Sequence, residues 1–427
     1  MPERRYDVVV IGSGPGGLAA AIAARKEGAE KVLLIERDVE LGGILQQCIH
    51  NGFGVEIFKE DLPGPAYAQR FINEMLSLKV DTLLDTMVLD ITPERTIFAT
   101  NKSLGILSIQ AEAIVLAMGC RERTRAQIRI PGSRPAGVYS AGTAQRWVNV
   151  DGFMPGKRFV ILGSGDIGMI MARRLTFEGA KVERVLELMP YLSGLNRNYV
   201  QCLLDYDIPL QLKHTVKQIF GNSRVEAIEA VRVDDNLQPI AGSEEIIPCD
   251  TLLLSVGLIP ENELSRKAGV QIDPLTSGPV VDNHFQTSVE GIFSAGNVVH
   301  VYDLVDWVTE AGLAAGKAAA RFAMGLMESN RYYIKMKAGV NVRYVVPQLV
   351  NRTSIAQEEV RLQMRVTRPS EEPVWVEVSD GKNLITRRAL PYARPGEMVT
   401  ISLKPSQAVA IQKVQELSVH VNPRHIK

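Results

Sequence analysis

The run Gly12-Ser13-Gly14-Pro15-Gly16-Gly17 sits between an apolar segment of strand length, residues 6–11, and an alanine-rich segment, residues 18–26, that Gly28 ends. A further strand-like run, residues 31–35, stops at Glu36. The same order returns once. Residues 159–162 lead into Gly163-Ser164-Gly165-Asp166-Ile167-Gly168, then a helical stretch 169–178 stopped by Gly179, then residues 181–186 and Glu187. In each copy the acid lies 24 positions past the first glycine (36−12 and 187−163). Strand, tight turn, helix and strand is a β-turn-α-β unit, and two of them commit the chain to an α/β architecture with parallel sheets.

The glycines have separate duties. Gly12 permits the sharp exit from the strand, Gly14 removes a side chain where backbone must approach a pyrophosphate, and Gly17 lets the helix lie close to the sheet. The helix N-terminus then offers unpaired N–H groups and the positive end of its dipole to an anion. A carboxylate closing the second strand can accept hydrogen bonds from ribose hydroxyls. Glu187 would also repel a 2′-phosphate, and no Arg follows it closely, which favours NAD(H) over NADP(H). Asp166 works against this second site unless its charge points away, so a second unit that holds no nicotinamide is the competing reading.

The remaining segments set the domain plan. Residues 80–117 read as short alternating strands, including 96–100 and 105–110, and then an apolar strand 113–117. The strand 251–256 closes the second unit at Gly257. Residues 291–297 are again strand then glycine turn, followed by an Ala/Gly-rich helix over 306–324. Beyond residue 330 the chain alternates at strand length over 343–346, 360–366, 374–378, 398–403 and 417–421. The expected fold is therefore α/β with two Rossmann-like three-layer domains, the second inserted in the first, plus a small C-terminal all-β domain. The expected boundaries are 1–122 with 260–330, 123–259, and 331–427.

Composition excludes some function classes. Lys+Arg and Asp+Glu are both 48, which gives no electrostatic ground for nucleic acid or an anionic membrane. No apolar run reaches the ~18 residues of a membrane span. The charged first residues lead into a strand rather than a signal-peptide core, so a cytoplasmic location is expected. Cys48, Cys120, Cys202 and Cys249 form no CxxC, and no metal site is read.

Taken together, residues 1–330 resemble the pyridine nucleotide–disulfide oxidoreductase superfamily of flavoproteins. The resemblance implies FAD at Gly12, Gly14, Pro15, Gly16, Gly17, Glu36 and Arg37, with Gly43 of the Leu41-Gly42-Gly43 stretch beside the flavin. Ala117-Met118-Gly119 and Ser255-Val256-Gly257 are similar to the family's crossovers between domains. They add Ala117 and Gly119 to the FAD set, and Gly257 to the nicotinamide set of Gly163, Gly165, Asp166, Ile167, Gly168 and Glu187. Gly296 and Asn297 fall in the second FAD motif, where Asn297 replaces the acid that binds the ribityl chain. The chain departs from disulfide reductases by lacking their paired cysteines. The runs 42–54 and 119–123 resemble flavoprotein subunits that accompany glycerol-3-phosphate dehydrogenase-like or amino-acid (proline, hydroxyproline, opine) dehydrogenase subunits. That implies a partner dehydrogenase flavoprotein. No cysteine follows Cys249, so an iron–sulfur cluster, if used, would sit on a partner subunit.

Cys48 and His50 are the candidate catalytic residues, a redox thiol and a proton or hydrogen-bond donor to reduced flavin; a packing thiol and a structural histidine are the alternatives. Arg121, Arg123 and Arg125 could steer phosphates or a partner, or line a solvated loop. The helix start after His300, Tyr302, Asp303 and Trp307 can aim backbone amides at the flavin pyrimidine. The leading expectation is an FAD enzyme exchanging electrons with NAD(H) as a subunit of a dehydrogenase complex. The rivals are a stand-alone NADH oxidase or dehydrogenase and a non-catalytic subunit with a structural nucleotide. The C-terminal strands could dock a partner, join copies into a homo-oligomer, or cover apolar surface.

Overall fold

A computed structural model describes residues 4–327 and 332–424. The chain forms two compact units, residues 1–120 with 260–427 and residues 121–259.

In the first unit, Arg4–Ile11 pairs in parallel with Val32–Ile35 on one side and with Gly105–Leu116 on the other. Asp81–Leu83 extends the parallel sheet at one edge, and Ile292–Ser294 also pairs with Gly105–Leu116. Thr96–Asn101 and Thr86–Ile91 add antiparallel to the far side of the same sheet. Residues 105–110 and 113–117, expected as two strands, are thus one strand of 12 residues. Its first half is held by an antiparallel neighbour and its second by parallel ones, so pairing continues through residues 111 and 112.

Period-two alternation puts this sheet between two layers. Val8 and Val10 join a core with the helices Pro15–Glu27, Gly64–Ser77 and Val305–Ala323; Val9 and Ile11 face an opposite core with Leu33, Ile109 and Ile114. Two of those helices touch backbone to backbone. A Cβ on Gly312 would lie 2.2 Å from the Gly16 carbonyl oxygen, and one on Gly316 would lie 2.0 Å from that of Ala20.

The C-terminal strands belong to this first unit. They form a five-stranded sheet containing Tyr333–Ala338 and Glu416–Pro423, and a three-stranded sheet of Val342–Val346, Val360–Val366 and Val399–Leu403. Both sheets contribute to one core that includes Ile334, Leu362, Met364, Val376, Leu403 and Val419. Leu384–Leu390, absent from the sequence expectation, is an edge strand whose residues are largely exposed and so lack an apolar face.

The second unit repeats the parallel plan. Arg158–Leu162 lies between Lys181–Glu187 and Thr251–Leu254, with Leu210–Leu212 and Val138–Ser140 outside them. Val160 and Leu162 enter one core, Phe159 and Ile161 the other, the latter beneath the helix Asp166–Phe177. An antiparallel sheet of His214–Phe220, Ala227–Arg232 and Glu245–Pro248 completes the unit. Among the described residues no helix is long and apolar enough to cross a membrane.

Candidate functional site

Each glycine turn starts where a central strand ends. Gly12 has φ +100°, and a Cβ there would lie 2.5 Å from the Ala117 carbonyl oxygen; Gly163 has φ +98° and the corresponding distance to the Ser255 oxygen is 2.1 Å. No L side chain fits either place. A Cβ on Gly17 would be 1.8 Å from the Gly12 oxygen, and one on Gly168 would be 2.7 Å from the Ser255 Cβ. Both helices are therefore pressed onto the strands they leave. Gly14 is different: a Cβ there would meet nothing within 4 Å, so its backbone faces open space. Gly43, at φ +55°, backs onto it, with a notional Cβ 3.0 Å from the Gly14 Cα. The N-caps are Gly14 and Gly165, and neither helix has a side-chain cap, so first-turn amides are left without intrahelical partners.

The two acids clasp their own turns. Glu36, 6% exposed, takes the backbone N–H of Ser13 at 2.8 Å and its hydroxyl at 2.6 Å on Oε2, and the Asp38 N–H at 2.9 Å on Oε1. Glu187, 3% exposed, takes the N–H of Ser164 at 2.9 Å and its hydroxyl at 2.6 Å on Oε2, and the Met189 N–H at 2.9 Å on Oε1. The Gly42 N–H donates to Ser13 Oγ at 3.2 Å, and the Ser193 N–H donates to Ser164 Oγ at 3.0 Å. Every member of the second clasp sits 151 positions after its counterpart (164−13, 187−36, 189−38, 193−42). The serines are site residues that glycine spacing does not single out. Their signal is nevertheless in the sequence, because both turns spell Gly-Ser-Gly.

The copies also differ. Ser193 Oγ donates a further bond to Glu187 Oε2 at 2.8 Å, so that oxygen accepts three bonds where Glu36 Oε2 accepts two; Oε1 accepts one backbone N–H in each copy. Ser255 Oγ accepts from the Gly168 N–H at 3.1 Å. Asp166 is turned into its own unit: its Oδ1 accepts the Leu195 N–H at 2.8 Å and the Asn198 amide at 2.7 Å. Ile167 packs at the edge of the core.

Around the first turn the structure gathers Gly12, Gly14, Pro15, Gly16 and Gly17 with Glu36, Gly43, Ala117 and Gly296. Gly16 and Gly296 both pack on Val308, at 3.4 and 3.0 Å for a notional Cβ. The Ala117 N–H donates to Ile11 O at 2.9 Å, and Gly119 O accepts the Glu261 N–H at 3.0 Å. Asn297 splits its amide: Oδ1 accepts the Tyr302 N–H at 3.1 Å, and Nδ2 faces the Cys120 Sγ at 3.7 Å. Arg37 is exposed at the strand end. In the second unit Gly257, φ +97°, accepts the Arg123 N–H at 3.2 Å.

Cys48 ends a 3-10 turn, Gly43–Gln47, and its Sγ lies 3.3 Å from Ile44 O. Burial pushes its thiol up to about 12, so at neutral pH it is a protonated thiol rather than a nucleophilic thiolate. The His50 Nδ1 is 2.9 Å from Asn51 O, and the ring lies 5.0 Å from that of Phe53. Within the basic run, Arg125 donates to the carbonyls of Ile130 and Gly132. Glu122 accepts the Gly142 N–H at the start of the helix Ala141–Asn149, its carboxyl pushed up by burial.

Two Rossmann-like units, each with a glycine turn, a helix without an N-cap side chain and a buried acid, define an α/β protein of the paired dinucleotide-binding kind. The chain belongs to the pyridine nucleotide-disulphide oxidoreductase family, whose sequence pattern matches residues 6–325. Membership implies FAD and a pyridine nucleotide. An opine oxidase subunit of Agrobacterium tumefaciens (strain Ach5) is 26% identical over 313 residues, covering 68% of this chain and 61% of that protein. The glutamate synthase [NADPH] small chain of Escherichia coli (strain K12) is 28% identical over 358 residues, 75% of this chain and 68% of the small chain. The ferredoxin–NAD(+) reductase subunit of the benzene 1,2-dioxygenase system of Pseudomonas putida is 27% identical over 392 residues, 89% of this chain and 86% of that protein. The chain thus spans about 60% of the length of the opine oxidase subunits it matches, 61% in one and 58% in another. Among solved structures, T. acidophilum thioredoxin reductase superposes with a TM-score of 0.61 at 22% identity, over 76% of this chain and 100% of that one, a likeness of fold alone.

Proposed function

We propose that the chain is an FAD-dependent oxidoreductase that moves electrons between NAD(H) and FAD, as the electron-transfer subunit of a glycerol-3-phosphate-type or amino-acid dehydrogenase complex. The observation that carries this reading is the duplicated clasp, with the same serine, acid and backbone partners 151 positions apart.

The first turn fits FAD. Gly14 keeps its backbone clear, the helix behind it is uncapped, and Gly43 lies against Gly14. In this reading the amides of Gly16 and Gly17 take the diphosphate, and Glu36, with an acceptor position to spare, takes an adenosine ribose hydroxyl. Asn297 offers Nδ2 to the ribityl chain while its Oδ1 stays on Tyr302. The second turn fits a pyridine nucleotide less fully. One amide is used by Ser255, and Glu187 Oε2 already accepts three donors, which leaves Oε1 for a ribose hydroxyl. The preference for NAD(H) rests on the Glu187 charge. When bound, flavin and nicotinamide supply the hydride chemistry, and the chain supplies their placement.

The opine oxidase and dioxygenase reductase relatives, each by its name a part of a larger system, support an electron-transfer role. The dioxygenase relative, matched over 86% of its length, favours a second reading in which a ferredoxin is the partner. Anaerobic titration of the purified protein with NADH and NADPH tests the proposal. A yellow protein bleached by NADH at lower concentration than by NADPH is expected. A colourless chain that refuses FAD on reconstitution overturns it.

A further inference from the structure

The first half of the loop 297–304 is held by Val299 N–H to Gly296 O at 2.9 Å and by Asn262 Nδ2 to Val298 O at 2.9 Å, but its second half, which leads into the helix Val305–Ala323, is less well supported from within. His300 is 1% exposed, and its ring nitrogens find no partner within their own loop, the Gln363 side chain of the strand Val360–Val366 being the polar neighbour of the ring; the hydroxyl of Tyr302, 7% exposed, has no partner. The two rings lie 4.2 Å apart, and Tyr344 meets His300 edge-on at 5.8 Å. Buried polar atoms without partners favour a solvated loop over this one, so its conformation must be imposed from elsewhere.

For the second half of the loop the C-terminal strands supply that hold. Arg365, on Val360–Val366, pairs with Asp303, and the two side chains are 17% and 9% exposed. The same Arg365 Nη2 donates to Val301 O at 3.2 Å, and Nη1 donates to Pro395 O at 3.3 Å. The second Asp303 oxygen accepts the Met398 N–H at 2.5 Å. One ion pair thus fastens the loop to two strand-layer segments, while Asn297 ties it from below through the Tyr302 N–H.

We infer that Arg365 and Asp303 are positioning residues of the flavin site: the C-terminal strand layer sets the loop that presents Asn297 and the N-terminus of the Val305–Ala323 helix. This rests on the proposed function. An internal comparison exists on the same strand. Arg361 pairs with Glu310 of the same helix, yet both side chains are open to solvent, 46% and 44%, and Glu310 lies beyond the loop.

The test uses the full chain, loaded with FAD, as wild type, Arg365→Met, Arg365→Lys, Asp303→Asn and Arg361→Met. FAD affinity is read by flavin fluorescence, the midpoint potential by dye equilibration, and folding by near-ultraviolet circular dichroism. Arg365→Met and Asp303→Asn are expected to bind FAD about tenfold more weakly and to shift the potential, with Arg365→Lys between them and wild type and Arg361→Met unchanged. Wild-type affinity and potential in folded Arg365→Met overturn the inference. If that variant does not fold, the same result in Asp303→Asn and Arg365→Lys overturns it. Equal losses in Arg361→Met also overturn it, since any tether would then serve. A wild type that binds no FAD sinks the proposed function itself, a result distinct from these.

Discussion

Single residues in this protein are held in states their sequence neighbours do not reveal. Burial and the nearby Arg365 charge push the His300 ring down to about 3, from an ordinary 6.5, against a smaller opposing influence from Gln363. The unfolded chain binds that proton near pH 6.5 and the folded chain does not until about pH 3. Stability from this group is therefore complete above pH 6.5 and falls as the pH drops towards 3, by up to about 1.4 kcal/mol per pH unit. Urea midpoints from pH 7 to pH 4 should fall more steeply for wild type than for His300→Gln; parallel curves would show that His300 is not held neutral. The clasping serines are a second example. Glu36 and Glu187 are legible from spacing, but spacing suggests only ribose hydroxyls as their partners. The nearest donors are the turn serines, because a buried carboxylate must be satisfied by its own fold first.

Among the helices and strands, the glycines decide how closely neighbours approach. A Cβ on Gly316 would sit 2.0 Å from the Ala20 carbonyl oxygen, so Gly316→Val should force the two helices apart and cost roughly 3 kcal/mol. Thermal unfolding measures this, and an unchanged midpoint would mean the helices can separate freely. The helix Asp166–Phe177 gives a different prediction. Asp166→Asn keeps an Oδ1 acceptor for Leu195 and Asn198 while removing a charge from the start of the helix. Because that carboxylate is held by Leu195 and Asn198, under the proposed function the change should alter NADH affinity by less than about twofold. Fluorescence titration reads it, and a roughly fivefold or greater tightening would show that the charge bears on the nucleotide. Elements with a strong period are readable from the chain: the two β-turn-α-β units and most C-terminal strands. The exposed edge strand Leu384–Leu390 is not, since it buries too little to carry an alternating pattern.

For the whole molecule, the two turns lie in different compact units, one in residues 1–120 with 260–427 and one in 121–259. A ligand that binds only the folded form of one unit stabilises that unit by about 2.7 kcal/mol at a hundredfold excess over its dissociation constant. Calorimetry should therefore show FAD raising one unfolding transition and NADH the other, and both ligands moving a single transition together would count against separate sites. The paired glycine turns, the α/β plan and the family follow from the order of amino acids, because each depends on local conformation and on periodicity along the chain. Three-dimensional packing had to settle the rest: that the C-terminal strands share a unit with the first turn, that Arg365 grips Asp303, and that Asp166 faces its own unit. Those outcomes join residues tens of positions apart, and which buried polar groups become partners depends on how the layers close over them rather than on spacing.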